Sequence, residues 1–142
     1  MKLRNLALFA VVSTLALPLF AGNLAKPGRW QTTIQMEMTG MPMKMPSRTV
    51  VTCVTKEQAE KPENLIPKSG DKRGGCTYTD VKVDGSTISW KMTCENGMAG
   101  EGKITYGGDS YDGSMHMKMQ DKEISATYAG KFMGECDGTE IK

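Results

Sequence analysis

The sequence predicts a mainly β protein, built as one curved antiparallel meander or small barrel of about seven strands with one short helix and two disulfide bonds. Three observations support this fold class. Apolar and polar residues alternate with a period of two along successive segments, turn signals rich in Gly and Asp separate them, and four cysteines follow an export signal. Because an open sheet exposes unpaired edges, strong curvature or closure into a barrel is expected.

The beginning of the chain has the three parts of an export signal. Lys2 and Arg4 form a basic start, an apolar stretch covers residues 6–20, and the small residue Ala21 precedes the expected cleavage point. The apolar stretch is shorter than the ~20 residues that a membrane-spanning helix needs. We therefore expect residues 1–21 to be a cleaved signal peptide and residues 22–142 to form a single β domain, which is periplasmic or secreted and keeps no transmembrane anchor.

The charge of the mature chain argues against two classes of partner. The full sequence has 18 basic and 16 acidic residues, and cleavage removes two basic residues and no acidic one. The mature protein is therefore close to neutral, and no run of Lys and Arg occurs in it. Nucleic acids and anionic membranes are bound by concentrated positive charge, so neither is an expected partner.

The alternation also places the individual elements. Strands are predicted over residues 30–38, 48–54, 76–83, 86–94, 98–106, 110–119 and 123–132. After the second strand, Thr55 and Gln58 have the spacing of a capping box, which predicts a short helix over residues 56–61 that Pro62 ends or kinks. Four glycines fall on the apolar face of the predicted sheet, where missing side chains permit sharp curvature: Gly100, Gly102, Gly113 and Gly130.

Export into an oxidising compartment predicts two disulfides among the four cysteines, whose spacing matches no paired zinc motif. The cysteines are Cys53, Cys76, Cys94 and Cys136. Asp84-Gly85 predicts a two-residue hairpin turn, and a regular ladder from that turn puts the side chains of Cys76 and Cys94 on opposite faces. This geometry disfavours a bond between them. Of the two remaining pairings, the favoured one joins Cys53 to Cys76 and Cys94 to Cys136.

Methionine is unusually frequent, since the chain has 12 Met but only three Phe. Thioethers are soft ligands suited to Cu(I), and Met-x-Met spacing places two sulfurs on one face of a strand. One hypothesis is therefore that the protein binds Cu(I), and no other cofactor is expected. The candidate ligands are Met41, Met43, Met45, Met115, Met117 and His116. The alternative interpretation is core packing by the methionines and an ordinary surface histidine, because His116 alternates away from its neighbours.

No catalytic arrangement is recognisable in the sequence. The single histidine has no nearby nucleophile or carboxylate on its predicted face, and the cysteines are expected to be oxidised. The glycines mark turns or inward positions and do not form a phosphate-binding loop. We therefore expect that the protein is not an enzyme, and no catalytic residue is assigned.

Several short motifs occur in a characteristic order. Lys26-Pro27-Gly28-Arg29-Trp30 opens the first strand, Gly40-Met41-Pro42-Met43 forms the next loop, and Gly134-Glu135-Cys136 comes near the end, with Cys53-Val54-Thr55, Gly75-Cys76 and Trp90-Lys91-Met92 between them. In this order the chain resembles a family of small exported proteobacterial proteins grouped as a domain of unknown function, whose members begin with a Lys-Pro-Gly-Leu-Trp-like motif. Arg29 stands where many members have Leu. The resemblance implies an exported, Met-rich protein and brings no known activity or binding residues.

Together, these features favour a non-enzymatic exported protein that binds a small apolar molecule or an envelope component on a Met-lined concave face. Cu(I) binding through the methionines is the first alternative. A structural or interaction role without a small ligand is the second. Experiments can distinguish the apolar-ligand hypothesis from the Cu(I) hypothesis. An apolar ligand can be extracted with solvent, whereas metal binding depends on the methionine sulfurs.

Overall fold

The structure is a computed structural model that describes residues 23–40, 45–67 and 75–140. The predicted signal peptide, residues 1–21, and the loop residues Met41 and Met43 lie outside these ranges. The described elements are, in chain order, β1 (Gly28–Met38), β2 (Arg48–Val54), the helix α1 (Lys56–Ala59), a 3₁₀ helix (Pro62–Asn64), β3 (Cys76–Asp84), β4 (Thr87–Cys94), β5 (Ala99–Tyr106), β6 (Ser110–Met119) and β7 (Lys122–Phe132). Every predicted strand is present, with ends within two residues of the prediction.

The seven described strands form one antiparallel sheet in the order β2-β1-β7-β6-β5-β4-β3. From β3 to β7 each strand pairs with the next one along the chain, as in a meander, whereas β1 pairs with both β2 and β7. The edges, β2 and β3, do not pair with each other. The predicted fold class is confirmed, and of the two forms that it allowed the structure has the open curved sheet.

The curvature of the sheet is visible in contacts between distant strands. Trp30 on β1 and Tyr106 on β5 are separated by two intervening strands, which in a flat sheet would put their backbones about 14 Å apart. Their ring centroids are nevertheless 6.2 Å apart, with the rings nearly perpendicular. The sheet therefore folds over its apolar side, which we call the inner face.

Glycines on the inner face permit this close packing. A Cβ built on Gly130 would lie 2.0 Å from the ring of Tyr111, and one built on Gly102 would lie 2.4 Å from the indole of Trp90. Both distances are shorter than real contacts allow, so large side chains from the neighbouring strands occupy the space above these glycines. Glycines were predicted on the apolar face, and the space that these large side chains need explains why they are there.

The core lies between the inner face and two segments outside the sheet. It contains Ala25, Trp30, Leu65, Ile66, Ile88, Trp90, Met92, Cys94, Ile104, Tyr106, Met115, Ala126 and Tyr128. Ala25 precedes β1, and Leu65 and Ile66 belong to the connection between β2 and β3. Because this connection starts at one edge of the sheet and leads to the other, its apolar residues cover the inner face between them.

The connection begins with the predicted capping box. The Thr55 hydroxyl accepts a hydrogen bond from the backbone N–H of Gln58, and the Gln58 side chain accepts one from the backbone N–H of Thr55. The helix ends at Ala59, and Pro62 then starts the 3₁₀ helix. Neither described helix is long and apolar enough to cross a membrane.

The cysteines form two disulfides, as predicted, but the favoured pairing was wrong. The structure joins Cys53 to Cys136 and Cys76 to Cys94. Cys76 and Cys94 lie directly opposite each other in the β3–β4 ladder, on the same face of the sheet. The assumption of a regular hairpin therefore failed.

A β-bulge explains the error. Thr79 pairs with Lys91 and Lys82 pairs with Ser89, so two residues of β3 oppose the single residue Trp90. Relative to a regular hairpin, the extra residue reverses the faces on which the side chains of residues 76–79 lie. The side chain of Cys76 is therefore on the same face as that of Cys94. Asp80, the first bulge residue, has a left-handed φ of 52°. Aspartate is one of the few non-glycine residues that tolerate this region.

Candidate functional site

The inner face borders a cavity of about 310 Å³ beneath the β2–β3 connection, and the cavity is partly open to solvent. The sheet forms one side of the cavity, which we call its wall, and the 3₁₀ helix and the residues after it form its roof. Its lining consists of Ala25, Trp30, Thr32, Ile34, Val50, Thr52, Cys53, Val54, Gln58, Asn64, Leu65, Ile66, Pro67, Tyr106, Tyr111 and Tyr128. The cavity is therefore bounded by four aromatic rings on the sheet and by aliphatic side chains on the sheet edge and the roof.

No charged side chain lines this cavity among the residues that the structure describes. The polar groups around it are hydroxyls, two side-chain amides and backbone atoms. One potential donor, the indole N–H of Trp30, is already occupied, since it donates to the carbonyl of Lys26 at 2.9 Å. The other polar side chains on the sheet wall are the hydroxyls of Thr32, Thr52 and the three tyrosines.

Thr32 and Tyr111 form a hydrogen-bonded pair in the wall, with 2.5 Å between their hydroxyl oxygens. Thr32 is on β1 and Tyr111 is on β6, and both pair with Gly130 on the strand between them. Because Gly130 has no side chain, the Tyr111 ring lies above it and reaches Thr32. The register of three strands thus fixes the position of this pair.

Tyr106 and Tyr128 are only 7% and 8% exposed, and both line the cavity. In the described part of the structure, neither hydroxyl has a hydrogen-bond partner. Burial raises the pKa of each phenol, and Tyr111 acts on both electrostatically in the same direction. Burial also raises the pKa of Tyr111, although its hydrogen bond with Thr32 opposes the shift. All three phenols therefore keep their protons at neutral pH.

A second hollow, of about 390 Å³, lies on the opposite, outer face of the sheet. It is larger, but its side chains are mostly exposed and charged, and they include Lys82, Lys91, Lys103 and Glu101. Charged side chains at a protein surface are ordinarily hydrated and do not by themselves indicate a binding site. We regard the inner cavity as the candidate site because it is lined by the buried rings of Trp30, Tyr106 and Tyr128 and by no charged side chain among the described residues.

The structure separates the described members of the proposed copper set. His116 is exposed on the outer face, as alternation predicted, and its Nδ1 lies 3.0 Å from the hydroxyl of Ser125. Met115 is buried in the core on the inner face, and Met117 is half-buried beside it. Met45 is half-buried in the segment before β2. The sheet thus lies between His116 and the two strand methionines.

Methionines do occupy the inner face, but none of the described ones lines the cavity. From the sequence, we predicted that methionines line the ligand surface, and the tyrosines were not identified. A signal for them existed, since Tyr106, Tyr111 and Tyr128 alternate onto the apolar face together with Gly130. What the sequence could not show was that the connection between β2 and β3 roofs this part of the face.

The protein-family comparison gives one match. The model of the family described as "Protein of unknown function (DUF3617)" matches residues 25–136, which include the seven described strands and all four cysteines. No curated protein matches, and no solved structure matches.

Proposed function

The chain belongs to the DUF3617 family, and we propose that it is a non-enzymatic binding protein for a small, uncharged, mainly apolar molecule. The observation that carries this proposal is the inner cavity, which is lined by the buried rings of Trp30, Tyr106 and Tyr128 and by no charged side chain among the described residues. Binding sites for small molecules are typically concave and mostly apolar, with a few polar groups that orient the ligand. The inner cavity has this composition.

The volume of the cavity limits the size of the molecule. Small-molecule pockets have volumes from about 300 Å³ upward, and an engineered apolar cavity of about 150 Å³ holds one benzene ring. At about 310 Å³, the inner cavity suits a molecule of one or two fused rings, or a short aliphatic chain. A whole phospholipid is too large to be enclosed.

The chemistry of the lining supports binding over catalysis. In the described residues around the cavity there is no His, Asp, Glu or Lys to exchange protons, and the sulfur of Cys53 is bonded to Cys136. We place the protein in the periplasm or outside the cell. Two disulfides support this location, because such bonds persist in oxidising compartments.

The test uses indane, an uncharged hydrocarbon of two fused rings, as the probe. Val50 on β2 lines the cavity, whereas its neighbour Val51 projects to the other face. We expect calorimetry to detect indane binding to the wild-type protein and to Val51→Trp, and no binding to Val50→Trp, whose indole fills the space. Equal binding by the two variants, or none by the wild type, would contradict the proposal.

A second candidate function, Cu(I) binding, is favoured by one arrangement on the inner face. Met36 and Met115 flank the small residue Ala126, and Met38 and Met117 flank Ile124 in the adjacent row of the sheet. Met36 is 40% exposed, and Met38 and Met117 are half-buried. Thioethers grouped in this way at an accessible position are suitable soft ligands.

Anaerobic Cu(I) competition against a chromophoric chelator tests this second function. Replacement of Met36, Met38 and Met117 by Leu should abolish tight binding if the sheet methionines are the ligands. A triple Leu variant at Met41, Met43 and Met45 tests the loop in the same way. The control is Met133→Leu, an exposed methionine beyond the end of β7. Binding that survives in both triple variants would exclude both groups of ligands.

A further inference from the structure

We infer that the molecule held in the inner cavity carries a hydrogen-bond acceptor, a carbonyl oxygen in an otherwise apolar ring system, and that Tyr106 and Tyr128 donate to it. This inference rests on the proposed function and names the chemical class of its ligand. Its basis is the pair of hydroxyls of two buried tyrosines, which line the cavity and have no hydrogen-bond partner in the described part of the chain.

The two hydroxyls have an energetic reason to find a partner. A ligand that covers these hydroxyls without accepting a hydrogen bond would leave them buried and unpaired, which is costly, since native proteins pair nearly all buried polar groups. Both tyrosines are more than nine-tenths buried. Because both also line the cavity, the space in front of them is where a partner atom would lie.

The hydroxyl groups of the wall act mainly as hydrogen-bond donors. One proton of the Thr32–Tyr111 pair is used within the pair, and the other hydroxyl hydrogen of that pair remains available. Tyr106 and Tyr128 each add one donor. A phenol oxygen is a weaker acceptor than its hydroxyl is a donor, because its lone pair is delocalised into the ring. The complementary ligand group is therefore an acceptor.

The acceptor should be uncharged. No cation lines the described cavity, and burying a carboxylate or phosphate without a compensating charge is strongly unfavourable. A ketone, quinone, ester or amide carbonyl meets these conditions, and its oxygen can accept from two donors at once. Among these, a planar ring ketone also fits between the aromatic side chains.

The test compares indane with 1-indanone, which has the same ring skeleton and one added carbonyl. We expect the wild-type protein to bind the ketone more tightly than the hydrocarbon, although the ketone is better solvated in water. Tyr106→Phe and Tyr128→Phe should each weaken 1-indanone binding about fivefold to tenfold, and the ratio of 1-indanone affinity to indane affinity should fall in each variant. The infrared carbonyl stretch of bound 1-indanone should shift to lower frequency in the wild type and shift less in each variant.

The outcomes separate the two proposals. If indane binds, but the ketone binds more weakly and neither Phe variant affects it, the inference about the acceptor is wrong and the binding function stands. If neither compound binds to the wild-type protein, the proposed function is wrong and the inference falls with it. Circular dichroism spectra like that of the wild-type protein show that the Phe variants are folded.

Discussion

Thr32 and Tyr111 form a hydrogen bond across an intervening strand, with 2.5 Å between their oxygens, because Gly130 between them has no side chain. This relationship joins the fold to the candidate site. The same absence of a side chain that lets the sheet curve also lets a phenol lie flat over the sheet and complete the wall of the cavity.

Gly130→Ala should therefore destabilise the protein. A methyl group at this position would meet the Tyr111 ring at 2.0 Å, and overpacking of this kind typically costs about 1–3 kcal/mol. Strand propensity alone predicts the opposite sign, since Gly is normally less favourable than Ala in a strand. The control is Ala129→Val on the exposed face of the same strand. Urea unfolding with equal stability for Gly130→Ala and wild type would refute the packing described.

The bulge in β3 gives a second prediction. Asp80 has a left-handed backbone conformation, which Gly adopts freely and β-branched residues adopt at a cost of roughly 1–2 kcal/mol. Asp80→Val should lower the free energy of unfolding by about this amount, whereas Asp80→Gly should not lower it. Both variants lose the exposed ion pair with Lys91, so the comparison cancels that contribution. Equal loss in both would argue against a positive φ at this position.

The disulfides should differ in their contribution to stability. Cys53–Cys136 closes a separation of 83 residues and Cys76–Cys94 one of 18. In the chain-entropy model, these loops correspond to about 4.5 and 3 kcal/mol. We expect the double Ala variant at Cys53 and Cys136 to be the less stable of the two double variants. Peptide mapping by mass spectrometry of the non-reduced protein checks the pairing, and a Cys53–Cys76 peptide would show it to be incorrect.

Alkaline pH should destabilise the protein through the cavity tyrosines. Burial raises the pKa of Tyr106 above the ordinary value of 10.0, so the folded state holds its proton while the unfolded state releases it. The unfolded state binds fewer protons above about pH 10, and stability therefore falls as pH rises there and is unaffected below. Urea midpoints between pH 8 and pH 11 should show this fall, with a smaller one in Tyr106→Phe. A flat profile would contradict the burial of the phenols.

Much of the fold could be predicted because it depends on local patterns. Alternation located every strand, and the Thr55–Gln58 spacing identified the capping box that the structure contains. The pairing of β1 with β7 has no local signal, since it depends on the closure of the whole chain around one core. A prediction from hairpin register failed at Cys76 because a single extra residue at Asp80 reverses the faces.

The candidate site was less predictable for a physical reason. The inward direction of Tyr106, Tyr111 and Tyr128 follows from alternation, but an inward side chain can either fill a core or line a cavity. The difference depends on where the β2–β3 connection lies over the inner face and how closely Leu65 and Ile66 pack there. That is a tertiary property. Composition drew attention to methionine, whereas the cavity is lined by aromatic and hydroxyl groups.

The most direct test of ligand binding in the inner cavity is an NMR titration of isotope-labelled protein, residues 22–142, with indane. We predict intermolecular nuclear Overhauser effects from the indane protons to the methyl groups of Thr32, Val50 and Ile66, all of which line the cavity. Contacts confined to the outer face around His116, or an unchanged spectrum at saturating indane, would contradict the assignment of this cavity as the binding site.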